Sequence, residues 1–191
     1  MNPVLTTSEG ELELVSLNAG NLGIVVRVLC SGILDGWVGA ESLDFTSELL
    51  TLGGVAVPTV ILTGTALLCT NDGNCTEPEV WAAKLGWESE VELMTSETLG
   101  MFYVDLISKP AWYVQCLILG VTSAETCEAA EGAAKLTNEV GGKVDATFSE
   151  EFQILAGGKL ATCSMGGTEK GEVNGLLLVS TEAGMLSVSS E

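Results

Sequence analysis

Between Trp87 and Leu93 the chain alternates without a break: Trp87, Ser89, Val91 and Leu93 fall on one side, Glu88, Glu90 and Glu92 on the other. A period of two belongs to a β-strand, whose successive side chains point to opposite faces. The segment predicts a half-buried strand with an acidic, solvated outer face. Leu12 and Leu14 alternate with Glu11 and Glu13 in the same way. IVVRVLC is apolar on both faces apart from Arg27 and predicts an interior strand. Asp35-Gly36 is a turn signal before a strand-like stretch through Leu43, Phe45 and Leu49. The run VAVPTVILTGTALLC follows Gly53-Gly54, and its Pro58 belongs at an edge, a bulge or a strand start. LGMFYVDLI and AWYVQCLILG read as two strands joined across Lys109-Pro110.

Two segments break the alternation. PEVWAAKLGW, with Pro78 at a first helical position, predicts a short helix. The longer segment near 123–140 predicts the main helix, with Ser123 as cap, Glu125 and Glu128 toward its N-terminal end and Gly141-Gly142 as its stop. Its apolar positions Ala130, Ala133, Ala134 and Leu136 are mostly small, which predicts close packing on a sheet. Beyond it KVDATF, EFQILA, KLATCSM, GEVNGLLLVS and GMLSVSS predict a β-meander over 143–189. The similarity of GGKVDATF to GGKLATCS reads as two hairpin returns, because nothing upstream repeats it. The expected fold is a single mainly β domain over 1–191: an antiparallel sandwich or barrel with one helix packed on a sheet and a second short helix.

Charge changes this picture. There are 26 acidic and 7 basic residues, no histidine and a net charge of −19, yet 47% of the chain is hydrophobic. An acidic chain this apolar has enough side chain to bury, so self-repelling disorder is a poor description. The basic residues (Arg27, Lys84, Lys109, Lys135, Lys143, Lys159 and Lys170) form no stripe, which argues against specific nucleic-acid binding. The first residues lack the basic region of a secretory signal, and the apolar stretch from Trp112 to Val121 is too short to span a bilayer. Synthesis in the cytosol is the resulting expectation. It favours Cys30, Cys69, Cys116 and Cys163 as buried free thiols, with a Cys69–Cys75 bridge around TNDGN as the open alternative.

Candidate chemistry is thin. Without histidine the Ser-His and Cys-His machineries and a mixed Cys/His zinc site are excluded. TCSMG fails as a nucleophile elbow, neither GGK completes a P-loop, and no G-x-G-x-x-G occurs. Among 26 acids some pair always lies at glycosidase spacing, so such pairs carry no weight. Asp72, Asn74 and Glu77 faintly resemble a calcium loop whose register breaks, and an Asn/Asp/Gly turn explains them as well. Trp37, Trp81, Trp87 and Trp112 are candidate sugar platforms or packing residues.

No catalytic, cofactor-binding or metal residue is therefore assigned. The sequence points to a non-enzymatic structural subunit of an assembly, a tailed-phage virion protein of the capsid-decoration (cement) or tail-tube kind. It would be made in the host cytoplasm and reside in the virion. Its partners would be further copies of itself and other virion proteins such as a major capsid protein, with neither specific nucleic-acid binding nor a membrane. The alternative is a carbohydrate- or cation-binding β-sandwich module.

Overall fold

Alternating apolar positions along this chain become antiparallel strands in the computed structural model. It describes residues 2–8, 12–19, 24–31, 33–38, 51–52, 55–56, 68–71, 74–84, 89–156, 161–163, 169–181, 185 and 187–188. The strands are β1 (Asn2–Ser8), β2 (Leu12–Ala19), β3 (Ile24–Ser31), β4 (Ile33–Val38), β5 (Thr51–Leu52), β6 (Val55–Ala56), β7 (Leu68–Asn71) and β8 (Thr76–Ala83). They continue as β9 (Ser89–Ser96), β10 (Gly100–Ser108), β11 (Ala111–Ile118), β12 (Val121–Glu128), β13 (Glu131–Glu139) and β14 (Lys143–Phe148). One helix, α1 (Glu150–Leu155), precedes β15 (Ala161–Cys163) and β16 (Glu169–Thr181). The protein is mainly antiparallel β: β5 and β6 pair with each other, and the rest join one 14-stranded sheet. No helix among the described residues is long and apolar enough to cross a membrane.

That sheet divides into two halves along a line, here called the crease, at which the pairing partners change. Consecutive strands are collinear neighbours: where β10 pairs with β13, the next strand β11 pairs with the preceding strand β12. The same holds for β1 and β2 beside β16, and for β4 and β3 beside β1 and β2. β16 itself crosses the crease, pairing with β2 and β15 through its first part and with β14 and β1 from Gly175 onward. At the crossing Gly175 has φ 141°, a conformation that a Cβ would strain. Between β10 and β11 the ladder is kept alive by Lys109 N–H donating to Ala130 C=O and Ala129 N–H donating to Pro110 C=O.

Each half buries its own core. On one side of the crease, β2, β3, β8, β11, β12 and β15 turn Leu14, Val26, Val28, Val80, Trp112, Val114, Ile118 and all the buried cysteines inward. This is the cystine half. The remaining strands form the helix half, with apolar contacts on both faces. One face holds Val91, Ala134, Leu136, Val144, Ala146 and Leu177, under Val188. The other holds Phe102, Val104 and Ala133 beneath Phe152 and Ala156 of the α1 segment.

The structure corrects several sequence expectations. The region 123–140 is not a helix but the strands β12 and β13, and Gly141 and Gly142 form their outgoing turn at positive φ. Ala and Glu favour helix weakly, and cross-strand pairing outweighs that preference. Alternation was hidden there because Glu125, a carboxylate, points inward beside Cys127. The segment from Pro78 is likewise strand β8, with Pro78 seated where the β8–β11 register shifts and no ladder N–H is required. EFQILA is not a strand but the helix α1, where Ser149 Oγ accepts from Phe152 N–H at 3.1 Å and Glu150 and Glu151 occupy the first turn. In GMLSVSS, the described Met185, Ser187 and Val188 are not strand. β3 is interior, but Val25 and Arg27 are exposed, so only one of its faces is apolar cover. In β9 both faces engage the core, Val91 on one side and Met94 on the other, while Leu93 is exposed and Glu92 half-buried. Glu88 and Trp87 lie outside the described residues, as do Pro58, Leu43, Phe45 and Leu49.

Gln153 explains why so short a helix belongs here. Its Nε2 donates to Glu131 C=O and its Oε1 accepts from Ala133 N–H, both at 2.7 Å. These groups lie on the edge of β13 that β14 occupies farther along, so one side-chain amide continues a strand that has ended. Replacing Gln153 with Ala leaves a half-buried N–H without that acceptor, at a cost of about 1–3 kcal/mol. The melting temperature should fall by several degrees, and more than for Glu151→Gln on the exposed side of α1. Equal melts for the two variants would refute the strand-substitute role. Ala133 and Ala134 are buried on opposite faces of β13, so Ala133→Phe and Ala134→Phe should each overpack a different core, by about 1–3 kcal/mol in thermal melts.

Candidate functional site

All six cysteines are bridged: Cys30–Cys69, Cys75–Cys116 and Cys127–Cys163. Neither free thiols nor a Cys69–Cys75 link is present, so the expectation of buried reduced cysteines is corrected. The physical reason is register. Cys30 sits directly opposite Cys69, and Cys127 directly opposite Cys163, on the inward face of neighbouring strands. Cys75 precedes β8 and reaches Cys116 on the adjacent β11. The apolar runs around Cys30, Cys69, Cys116 and Cys163 had marked those four as core, but pairing partners far apart in sequence could not be read from one strand at a time. β16 passes so close above the third bridge that a Cβ on Gly171 would lie 2.8 Å from Cys163 Sγ. Glycine is required there by space.

Glu125, Cys127 and Cys163 bring potential ligand atoms within 4.8 Å of one another. With both sulfurs committed to a disulfide there is no thiolate to offer a metal, and the trio carries no metal site in this state. In the faint calcium loop, Asp72 lies outside the described residues, Asn74 Nδ2 donates to Val25 C=O at 3.0 Å, and Glu77 is exposed. Of the tryptophans, Trp112 is core, Trp81 is exposed, and Trp37 lies on β4.

A polar cluster sits near the crease. Arg27 Nη1 meets Glu13 Oε1 at 3.0 Å, Asn174 Nδ2 donates to Glu13 Oε2 at 3.2 Å, and Asn174 Oδ1 accepts from Glu150 N–H at 3.2 Å. Glu172 on the same strand as Asn174 is held above the usual carboxylate range. Partial burial is the main cause, the charges of Glu150 and Glu13 add to it, and Asn174 and Arg27 oppose it. Sequence reasoning had no signal for this cluster beyond the abundance of acids.

The most unusual surface is apolar. On the core face of β9 and β10, Leu93 lies opposite Tyr103 and Met101 opposite Thr95. Farther in, this face is buried at Val91, but toward the hairpin tip Leu93 is 47% exposed and Met101 74%. Leu99 in the adjoining turn, held by its N–H donating to Ser96 Oγ at 2.9 Å, is exposed as well. Val140 in the β13–β14 turn and Met185 are exposed too, and Met185 lies against Gly142 of that turn. One end of the helix half therefore carries an apolar rim where its core face runs out from under cover. Single exposed apolar residues are ordinary, but a contiguous group marks a contact surface.

Three measurements follow. Thiol titration of the chain unfolded without reductant should find no free thiol, and six after reduction. Cys127→Ala with Cys163→Ala should cost about 2–4 kcal/mol, seen as a fall in melting temperature under non-reducing conditions. For Glu172 the sign is set by linkage. A folded-state pKa above the ordinary carboxylate value means the folded chain binds this proton more tightly, so the contribution of Glu172 to stability is greatest at low pH and falls as pH rises through the folded value. Glu172→Gln should therefore stabilise the protein at pH 7, an advantage that disappears in melts below about pH 4. A pH-independent difference would mean that packing, not charge, governs this site.

No protein-family model, curated protein or solved structure matches this chain.

Proposed function

We propose that this protein is a non-enzymatic structural subunit of a macromolecular assembly, a tailed-phage virion protein of the capsid-decoration or tail-tube kind. The observation that carries the reading is the apolar rim of Leu93, Leu99, Met101, Val140 and Met185 at one end of the sheet. A face that is core farther along the same strands is suited to being completed by a neighbour. The opposite end, at the β11–β12 turn, also exposes Leu119 and Val121, so subunits have apolar contacts to offer at both ends of their strands. Head-to-tail contacts of two different surfaces close into rings or continue as filaments.

Two further features support this reading. Three disulfides suit a particle that persists in an oxidising exterior, where cytosolic reductants no longer act. A net charge of −19 repels DNA, which serves a lumen through which DNA passes or a shell that encloses it. Other virion proteins, a major capsid protein among them, are the proposed partners.

The purified chain should sediment as oligomers, most completely in 1 M salt, where screening shrinks to about 3 Å and like-charged subunits approach. Leu93→Glu with Met101→Glu should return it to monomer without lowering its melting temperature, since both side chains are already exposed. A wild-type chain that stays monomeric in high salt and does not bind purified capsid shells or tail tubes would refute the proposal.

A further inference from the structure

The outer face of the cystine half carries a second surface, remote in kind from the rim. Val80, Trp112 and Val114 point into the core, so Trp81 and Tyr113 point out. Trp81 on β8 stands directly opposite Tyr113 on β11, and their rings stack with centroids 4.1 Å apart and planes inclined by 23°. Trp81 remains 43% exposed. In the next row Glu79 stands opposite Gln115, and Tyr113 Oη donates to Gln115 Oε1 at 3.3 Å. That bond fixes the amide and presents its Nε2 as a donor beside the exposed Glu79 carboxylate. On the third strand Ala124 and Thr126 lie opposite Gln115 and Tyr113, keeping the floor beside the rings low.

The backbone under this surface is unusual. The β8–β11 register shifts between Gln115 and Leu117, at the row that carries Gln115. Bulges of this kind re-aim side chains and recur beside binding sites. Glu77, just before Pro78, takes a left-handed φ of 53°, uncommon for a residue with a side chain. The distortion is held by the Cys75–Cys116 bridge and by Thr76 Oγ1 donating to Leu117 C=O at 3.3 Å. At the far end of β8, Lys84, also left-handed, pairs with Glu128 of β12. The strand that presents Trp81 is thus pinned at both ends, which lowers the cost of ordering on binding.

We infer that this face binds a neutral sugar ring, stacked on the Trp81 indole and hydrogen-bonded by Gln115 and Glu79. A pyranose has an apolar C–H face and an edge of hydroxyls that both donate and accept. It therefore asks for a flat aromatic surface with a donor and an acceptor side by side, and Trp81, the Gln115 amide and the Glu79 carboxylate supply these. Charge narrows the class. A protein of net charge −19 disfavours sulfated, sialylated or uronic glycans. A simple cation on the indole would use the ring and the carboxylate but would gain nothing from the amide donor. The inference is independent of self-assembly.

The test is a titration of the full chain with maltohexaose, cellohexaose and N-acetylchitohexaose, following the indole N–H resonances. Trp81→Phe assigns the Trp81 signal. At least one of these sugars should shift the Trp81 resonance saturably at millimolar concentration while leaving buried Trp112 unmoved. Gln115→Ala keeps the ring stack and should weaken binding by about tenfold, as expected for one lost hydrogen bond. Trp81→Ala should abolish it, with thermal melts confirming that both variants fold. Repeating the titration in the Leu93→Glu, Met101→Glu chain separates binding from oligomeric state. Saturation by tetramethylammonium or oligolysine with none by the sugars would overturn the inference in favour of a cation site. Silence of the Trp81 resonance to every titrant would reduce the platform to packing.

Discussion

A polypeptide that passes from one set of neighbours to another must still pair its peptide groups, because a buried N–H or C=O left alone costs as much as a lost hydrogen bond. In this protein β1 to β4, β10 to β13 and β16 all adjoin the crease, and the ladder survives it. β10 and β13 hand over to β11 and β12 through two backbone bonds at Lys109, Pro110, Ala129 and Ala130. β16 simply continues, with Gly175 at positive φ where its partners change. Where a strand is too short to continue the ladder, Gln153 supplies the missing donor and acceptor from a helix. This requirement fixes the order of strands on both sides of the crease, and therefore which residues meet in each core.

The two halves meet the cost of folding differently. The helix half relies on apolar layers on both faces, with Phe102 and Phe152 edge to face at 5.3 Å under α1. Among the described residues, Val188 lies over its core face, where Asn138 of β13 grips it through both backbone groups at 2.7 Å. The cystine half has one core of modest side chains, reinforced by covalent links across neighbouring strands. The rim and the aromatic platform thus stand on different foundations. The rim is the unroofed continuation of a core, whereas the platform is a surface row braced from beneath by a bridge.

Much of the strand order was legible along the chain. Leu12 and Leu14 are buried as their alternation requires, and the stretches around Phe102 and Trp112 are strands on either side of Lys109-Pro110. What escaped was information that lives between strands. The alanines of 129–134 carry too little bulk to display a period, and Glu125 faces inward against the pattern, so helix propensity filled the gap. The signal for α1 was present in Ser149, Glu150 and Glu151, a cap followed by acids, but Phe152 and Ile154 imitated a strand. Six cysteines admit 15 pairings, and only the register of β3 with β7 and of β12 with β15 selects among them. The rim was invisible for a related reason: Leu93 has the same place in the alternation as buried Val91, and only its distance from the roof tells them apart.

The bridges follow one another along the chain without nesting, and each ties neighbouring strands of the cystine half. Consider a pull applied to the two ends of the chain. Each cystine closes off 36 to 41 residues of chain. At about 3.4 Å per extended residue, that is on the order of 130 Å of slack per loop which tension cannot draw out. Tension applied across the cystine half would therefore meet three loops that cannot be drawn out while their sulfurs remain joined, whereas no such link restrains the described strands of the helix half.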